Sequence, residues 1–239
     1  MGDGIYCALS GALAQQTALE TVATNLSNAS TQGYRGEKAV FREVLSRAGA
    51  EGPLRFAAVQ ATALDGQQGS VRSTGRDLDV AFPDGVFLAV QTPAGERYTR
   101  AGSLHVTADG TLATSSGHPV LSETNQPLTV APGGTPSISS EGALVVGGEV
   151  QSRLKLVSFT EAQWLSHEGS TLLASNDRSG PPTPASGVLA TGSLEDSNAS
   201  AVTAMTDMMS ASRMFEAFQR AIETFHDADR RVATTTAGT

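Results

Sequence analysis

The positions of glycine and proline constrain this chain more than any other feature. All 10 prolines and 20 of the 25 glycines fall between Gly36 and Gly192, whereas residues 12–32 and 193–237 contain neither. Glycine weakens helices through its backbone freedom, and proline through its fixed φ and missing N–H. The order read from these breakers is helix, turn-rich middle, helix.

In the first stretch, Ile5, Leu9, Ala12, Gln16, Leu19, Ala23 and Leu26 follow a 4-3 spacing. Six of the seven are apolar, which describes a narrow seam rather than the wide face of a globular helix. Asp3 is placed to cap the start, and Asn28, Ser30 and Gly33 to stop it. A helix of about 23 residues at roughly 1.5 Å each is about 35 Å long. In the last stretch, Met208, Ala211, Phe215, Phe218, Ile222 and Phe225 follow a 3-4 spacing. A second row, Ala211, Met214, Phe218, Ala221, Phe225, Ala228 and Val232, runs beside it. Ser197 or Asn198 is placed to cap this helix. Glu216 with Arg220 and Asp227 with Arg231 form i,i+4 pairs worth a few tenths of a kcal/mol each. So wide an apolar seam needs a partner.

The middle carries strand signals. Val86–Val90 is a short apolar run bounded by Pro83 and Pro93. Asp109-Gly110 between Ser103–Thr107 and Thr111–Thr114 predicts a hairpin, and Gly147-Gly148 between Ala143–Val146 and Glu149–Ser152 predicts another. Residues 153–159 largely alternate, as a half-buried strand does. Residues 179–184, rich in proline, read as an exposed loop.

The fold class that follows is α+β: N- and C-terminal helices forming a coiled-coil-like terminal domain, with an inserted all-β domain. The expected divisions are 1–35 and 196–239 for the helical domain, 36–65 for a linker, and 66–192 for the β-rich domain. A globular α+β domain whose end helices pack on its sheet is the alternative left open by periodicity.

Composition excludes several function classes. The net charge of -8 and the absence of Lys/Arg clusters argue against a nucleic-acid partner. No apolar run reaches the length of a membrane-spanning helix, so membrane insertion is not expected. The start lacks the basic and apolar pattern of a cleaved secretory signal. A single cysteine, Cys7, precludes an intrachain disulfide and reads as a small buried hydrophobe. No cofactor and no metal are expected: His105, His118, His167 and His226 are scattered, without metal-ligand spacing. Asp77, Asp79 and Asp84 are the one acidic cluster that could serve glycoside hydrolysis or calcium, and Asp-x-Asp alone is a weak signal. An enzyme is not expected; a secreted peptidoglycan-acting enzyme using those carboxylates is the alternative from another class.

Three separated motifs carry a resemblance. Residues 23–35, Ala-Thr-Asn-Leu-Ser-Asn-Ala-Ser-Thr-Gln-Gly-Tyr-Arg, resemble the N-terminal signature of the flagellar rod and hook axial proteins. Residues 76–104 are similar to the family's middle segment, through Arg76-Asp77-Leu78-Asp79-Val80-Ala81, Gly85–Gln91 and Tyr98–Leu104. Gly192-Ser193-Leu194-Glu195-Asp196-Ser197-Asn198 is similar to the entry into the family's last helix. Length and the single middle domain resemble the proximal-rod type, with a distal-rod or hook-type subunit as the nearest alternative. Ala199-Ser200 departs from the Val-Asn that often follows in the family, and the tail beyond Val232 is polar and Thr-rich.

The resemblance implies a structural subunit of the basal-body rod that assembles helically through its terminal helices. Implied partners are copies of itself, the other proximal and distal rod subunits, and the flagellar type III export apparatus. The implied location is periplasmic, in the flagellar basal body, reached without a cleaved signal peptide. The residues expected to carry assembly are Ile5, Leu9, Leu19, Leu26, Asn25, Asn28, Gly33 and Tyr34, together with Met208, Phe215, Phe218, Ile222 and Phe225. The terminal helices are expected to be poorly ordered until assembly buries their seams.

Overall fold

A computed structural model describes residues 2–46, 54–131 and 134–236. The chain forms two compact units, one made of residues 1–27, 37–63 and 200–239, the other of residues 28–36 and 64–199.

The first unit holds both long helices, α1 (Gly2–Ser27) and α2 (Ala201–Thr236), packed on each other. Neither helix starts where the sequence suggested. Asp3 lies inside α1, which begins at Gly2. At α2 it is Ser200 that caps, its Oγ accepting from Thr203 N–H at 3.4 Å. The Thr-rich tail stays helical to Thr236. Threonines within α1 return their hydroxyls to carbonyls four residues back, Thr17 to Leu13, Thr21 to Thr17 and Thr24 to Glu20.

The stretch expected as a linker, 36–65, instead contains two long strands, Glu37–Ser46 and Leu54–Leu64, paired in a sheet of their own. The β-branched and aromatic residues Val40, Phe41 and Val44, and Phe56 and Val59, are compatible with strands.

The second unit is β-rich. Its largest sheet has six antiparallel strands in the order Ser166–Glu168, Leu172–Ala174, Gly95–Thr99, Phe87–Thr92, Leu156–Ser158 and Thr183–Pro184. The Phe87–Thr92 strand is buried on both faces, which explains its unbroken apolar run. Leu88 and Val90 join one core cluster with Leu104, Leu112 and Leu144. Phe87 and Ala89 join a second with Tyr98, Phe159 and Leu173, where Phe159 meets Tyr98 and Phe87 edge-on at 4.8 and 5.8 Å. Both sequence-predicted hairpins are present, Leu104–Val106 with Leu112–Thr114 and Ala143–Val146 with Glu149–Arg153. Gly110, Gly147 and Gly148 supply the positive φ their turns require. The ends of the unit close on each other: Val71–Ser73 pairs with Ser193–Glu195, and Val80–Ala81 with Ala190–Thr191.

Candidate functional site: the helical pair and the buried arginine knot

Two places concentrate the residues singled out by the sequence. In the helical unit, aromatic rings of α2 enter holes made by glycine on α1. A Cβ on Gly11 would lie 2.4 Å from the Phe218 ring, and one on Gly4 would lie 2.9 Å from the Phe225 ring. The two glycines and the two phenylalanines are each one heptad apart, so antiparallel helices meet through two equivalent sockets. Glycine is required here by close approach rather than by conformation.

This packing rotates α1 away from the expected seam. Its buried residues are small: Ala8, Gly11, Ala12, Ala14 and Thr21. Ile5, Leu19 and Leu26 are half-buried and Leu9 is 45% exposed, along with Tyr6 and Leu13 at i-3 and i+4. The physical reason is volume: a phenylalanine ring needs a hole, and a leucine row cannot provide one. On α2, Ala204 and Ala211 are buried, while Met208, Phe215, Phe218 and Ile222 are half-buried and Phe225 is 38% exposed. Met214, from the second row, faces solvent, as do Val202, Met205 and Met209. Cys7, read as buried, is exposed, although it lies within one turn of Gly4 and Gly11 on α1.

Asn25 and Asn28 shape the end of α1. Asn25 pairs with the Glu37 backbone as a strand would, donating from Nδ2 to the carbonyl at 2.7 Å and accepting the N–H at Oδ1 at 2.8 Å. Asn28 O accepts from Thr31 N–H at 3.0 Å, and its Oδ1 from Thr31 Oγ1, closing a turn.

In the β unit, Gly33, Tyr34 and Arg35 enter a buried ionic knot. Gly33 has φ +69, and its N–H donates to Glu195 O at 2.8 Å. Tyr34, 1% exposed, stacks on His167 at 5.1 Å between ring centroids, and His167 Nε2 lies 2.8 Å from Arg35 O. Arg35 lies 3.2 Å from Glu195 Oε1 and 3.5 Å from the exposed Asp84 carboxylate. Arg100 is buried completely: Nε donates to Glu195 Oε2 at 2.8 Å, Nη2 reaches the same oxygen, and its remaining donors meet the carbonyls of Phe82, Pro83 and Val86. One carboxylate thus serves two guanidiniums. Burial, then the nearby Arg100 charge, lowers the Arg35 pKa from its usual value.

Asn198 ties the two crossings of the unit together. Its Oδ1 accepts from Gly36 N–H at 2.6 Å, and Nδ2 donates to the carbonyls of Asp65 and Gln67 at 3.2 and 2.8 Å. It therefore has an architectural role, and the capping role expected of it passes to Ser200. The three sequence motifs, apart by tens of residues, converge on this knot through Arg35, Arg100 and Glu195. Sequence reading missed the roles of Arg100 and Glu195, which stand in mixed polar segments, Tyr98-Thr99-Arg100-Ala101 and Ser193-Leu194-Glu195-Asp196, with no local signal of burial. The acidic cluster does different work from catalysis: Asp79, 1% exposed, accepts from Thr74 Oγ1 at 2.7 Å and faces Arg76.

Comparison with known proteins agrees with this convergence. Residues 5–35 match the flagella basal body rod protein family, residues 84–146 the flagellar hook protein FlgE/F/G D1 domain, and residues 190–235 the flagellar basal body rod FlgEFG protein C-terminal family. The flagellar basal-body rod protein FlgF of Escherichia coli (strain K12) is 35% identical over 95% of each chain, and that of Mesorhizobium japonicum is 32% identical over 90% of each. The rod protein FlgG of Bacillus subtilis (strain 168) is 28% identical over 92% of this chain and 94% of its own. The chain belongs to the flagellar basal-body rod protein family. That family is structural and non-enzymatic, and membership makes the chain a rod subunit that assembles with other rod subunits. Its α+β architecture, two terminal helices with an inserted β-rich domain, is that of the family. Among the described residues no helix is long and apolar enough to cross a membrane.

Proposed function

We propose that this rod subunit is of the proximal type and is laid into a helical wall through the outer faces of its two paired helices, one on either side of the pair. The observation that supports it is exposure. Tyr6, Leu9 and Leu13 on α1, and Val202, Met205 and Met209 on α2, follow i, i+3, i+7 spacing and stand between 45% and 76% exposed. Helical stripes of this kind seek burial, and methionine adapts to neighbours of unequal shape. Among the assembly residues expected from sequence, Leu9 stands on the outer face of α1. Phe218 and Phe225 set the register of the pair, and Asn25, Asn28, Gly33 and Tyr34 build the turns from which it springs. The subunit's neighbours are copies of itself and the adjoining proximal and distal rod subunits. Passage to the periplasm is through the flagellar type III export apparatus, a route favoured by a chain that cannot form an intrachain disulfide.

Charge on the stripes tests the reading. Leu9→Asp with Met205→Asp, both on exposed positions, leaves the purified subunit folded by circular dichroism and abolishes its incorporation into basal bodies. Normal incorporation and swimming of the double variant would count against it.

A further inference from the structure

The β unit draws its first and last segments around a single carboxylate. Glu195 is 1% exposed and is held from four directions: Gly33 N–H on its carbonyl at 2.8 Å, Gly69 N–H on Oε1 at 3.1 Å, Arg35 on Oε1 at 3.2 Å, and Arg100 on Oε2 at 2.8 Å. Remove it and two buried guanidiniums remain; among the described residues one counter-charge is left near Arg35, the exposed Asp84, and none at Arg100. Taking away one partner of a buried ion pair is far more destabilising than the pair is worth, because an uncompensated charge is left in a medium of low dielectric constant. Glu195 is also among the last residues of the unit to be synthesised, with only residues 196–199 after it.

We propose that Glu195 is a closing residue that makes folding of the β unit conditional on chain length. Until it emerges, Arg35 and Arg100 oppose collapse of the core around them, and the first 194 residues stay open. The strand Ser193–Glu195, which pairs with Val71–Ser73, arrives at the same moment, so sheet edge and charge are completed together. The folding claim is independent of where the protein ends up.

The test measures pulling force on ribosome-bound chains stalled at successive lengths, beside equilibrium unfolding of full-length variants. No folding force from the β unit is expected until Glu195 has left the ribosome, and a weaker force is expected in Glu195→Gln. In full-length Glu195→Gln the folded-to-unfolded ratio falls on the order of 10²–10³-fold. A triple variant, Arg35→Met, Arg100→Met and Glu195→Met, replaces the knot with apolar groups and recovers the ratio to within about tenfold of the natural protein. A folding force that appears while Glu195 is still inside the ribosome overturns the proposal. So does Glu195→Gln folding as well as the natural chain, or a triple variant as unstable as the single one. Failure of export in a chain that passes these tests would strike the functional reading alone.

Discussion

Gly33→Ala separates two costs that a glycine substitution usually mixes. Gly33 and Gly75 share nearly the same backbone, at φ +69 and φ +72. Alanine at either site is held in the left-handed region, at roughly 1–2 kcal/mol. Their surroundings differ. A Cβ on Gly75 meets nothing within 4 Å, whereas one on Gly33 would lie 2.4 Å from Ala101 N and 2.5 Å from the Arg100 carbonyl carbon. Those are backbone atoms of the segment that carries Arg100 and cannot swing aside. Overpacking of this kind adds about 1–3 kcal/mol, and displacement also weakens the Gly33 N–H bond to Glu195. The expected loss is therefore about 2–5 kcal/mol for Gly33→Ala against 1–2 kcal/mol for Gly75→Ala, read from urea unfolding of the β unit. Equal losses in the two variants would refute the claim that residues 33–35 are seated tightly against residues 100–101.

Other expectations follow from the same contacts. Asn198→Ala removes three hydrogen bonds that tie residues 36, 65 and 67 together and costs about 1–3 kcal/mol in the same assay. Phe218→Ala empties the Gly11 socket; because the ring is half-buried, the loss stays below the 3–5 kcal/mol of a core phenylalanine, and faster amide exchange in α1 reports it. Tyr98, buried and near Glu96, has its pKa raised to about 12. Its neutral form is the one the fold favours, so this contribution is intact below pH 10 and is lost as pH rises from 10 to 12. Tyr98→Phe removes that part of the alkaline loss, measured as unfolding midpoint against pH.

The broad architecture was legible because it depends on features that sequence carries locally. Breaker-free ends gave α1 and α2, and Asp109-Gly110 and Gly147-Gly148 gave two hairpins through their turn chemistry. The paired strands at 37–64 were hidden, since strand propensity there is moderate and the glycines and proline between them suggested a linker. The face of α1 was misjudged for a different reason. Periodicity counts apolar residues, whereas the contact is set by the absence of side chains at Gly4 and Gly11, which only the opposing phenylalanines reveal. The knot was illegible as a unit: Arg35, Arg100 and Glu195 are ordinary charges until the fold brings them together.

The central claim is that the exposed stripes on the helical pair are buried when the subunit enters the rod. Hydrogen exchange of the purified protein, compared with the same protein in isolated basal bodies, tests it most directly. Amides of residues 2–27 and 201–236 should exchange much more slowly in the basal body, with the β strands at 87–92 and 156–158 changing little. Equal exchange of both helices in the two states would contradict the account and move the assembly surface onto the β unit.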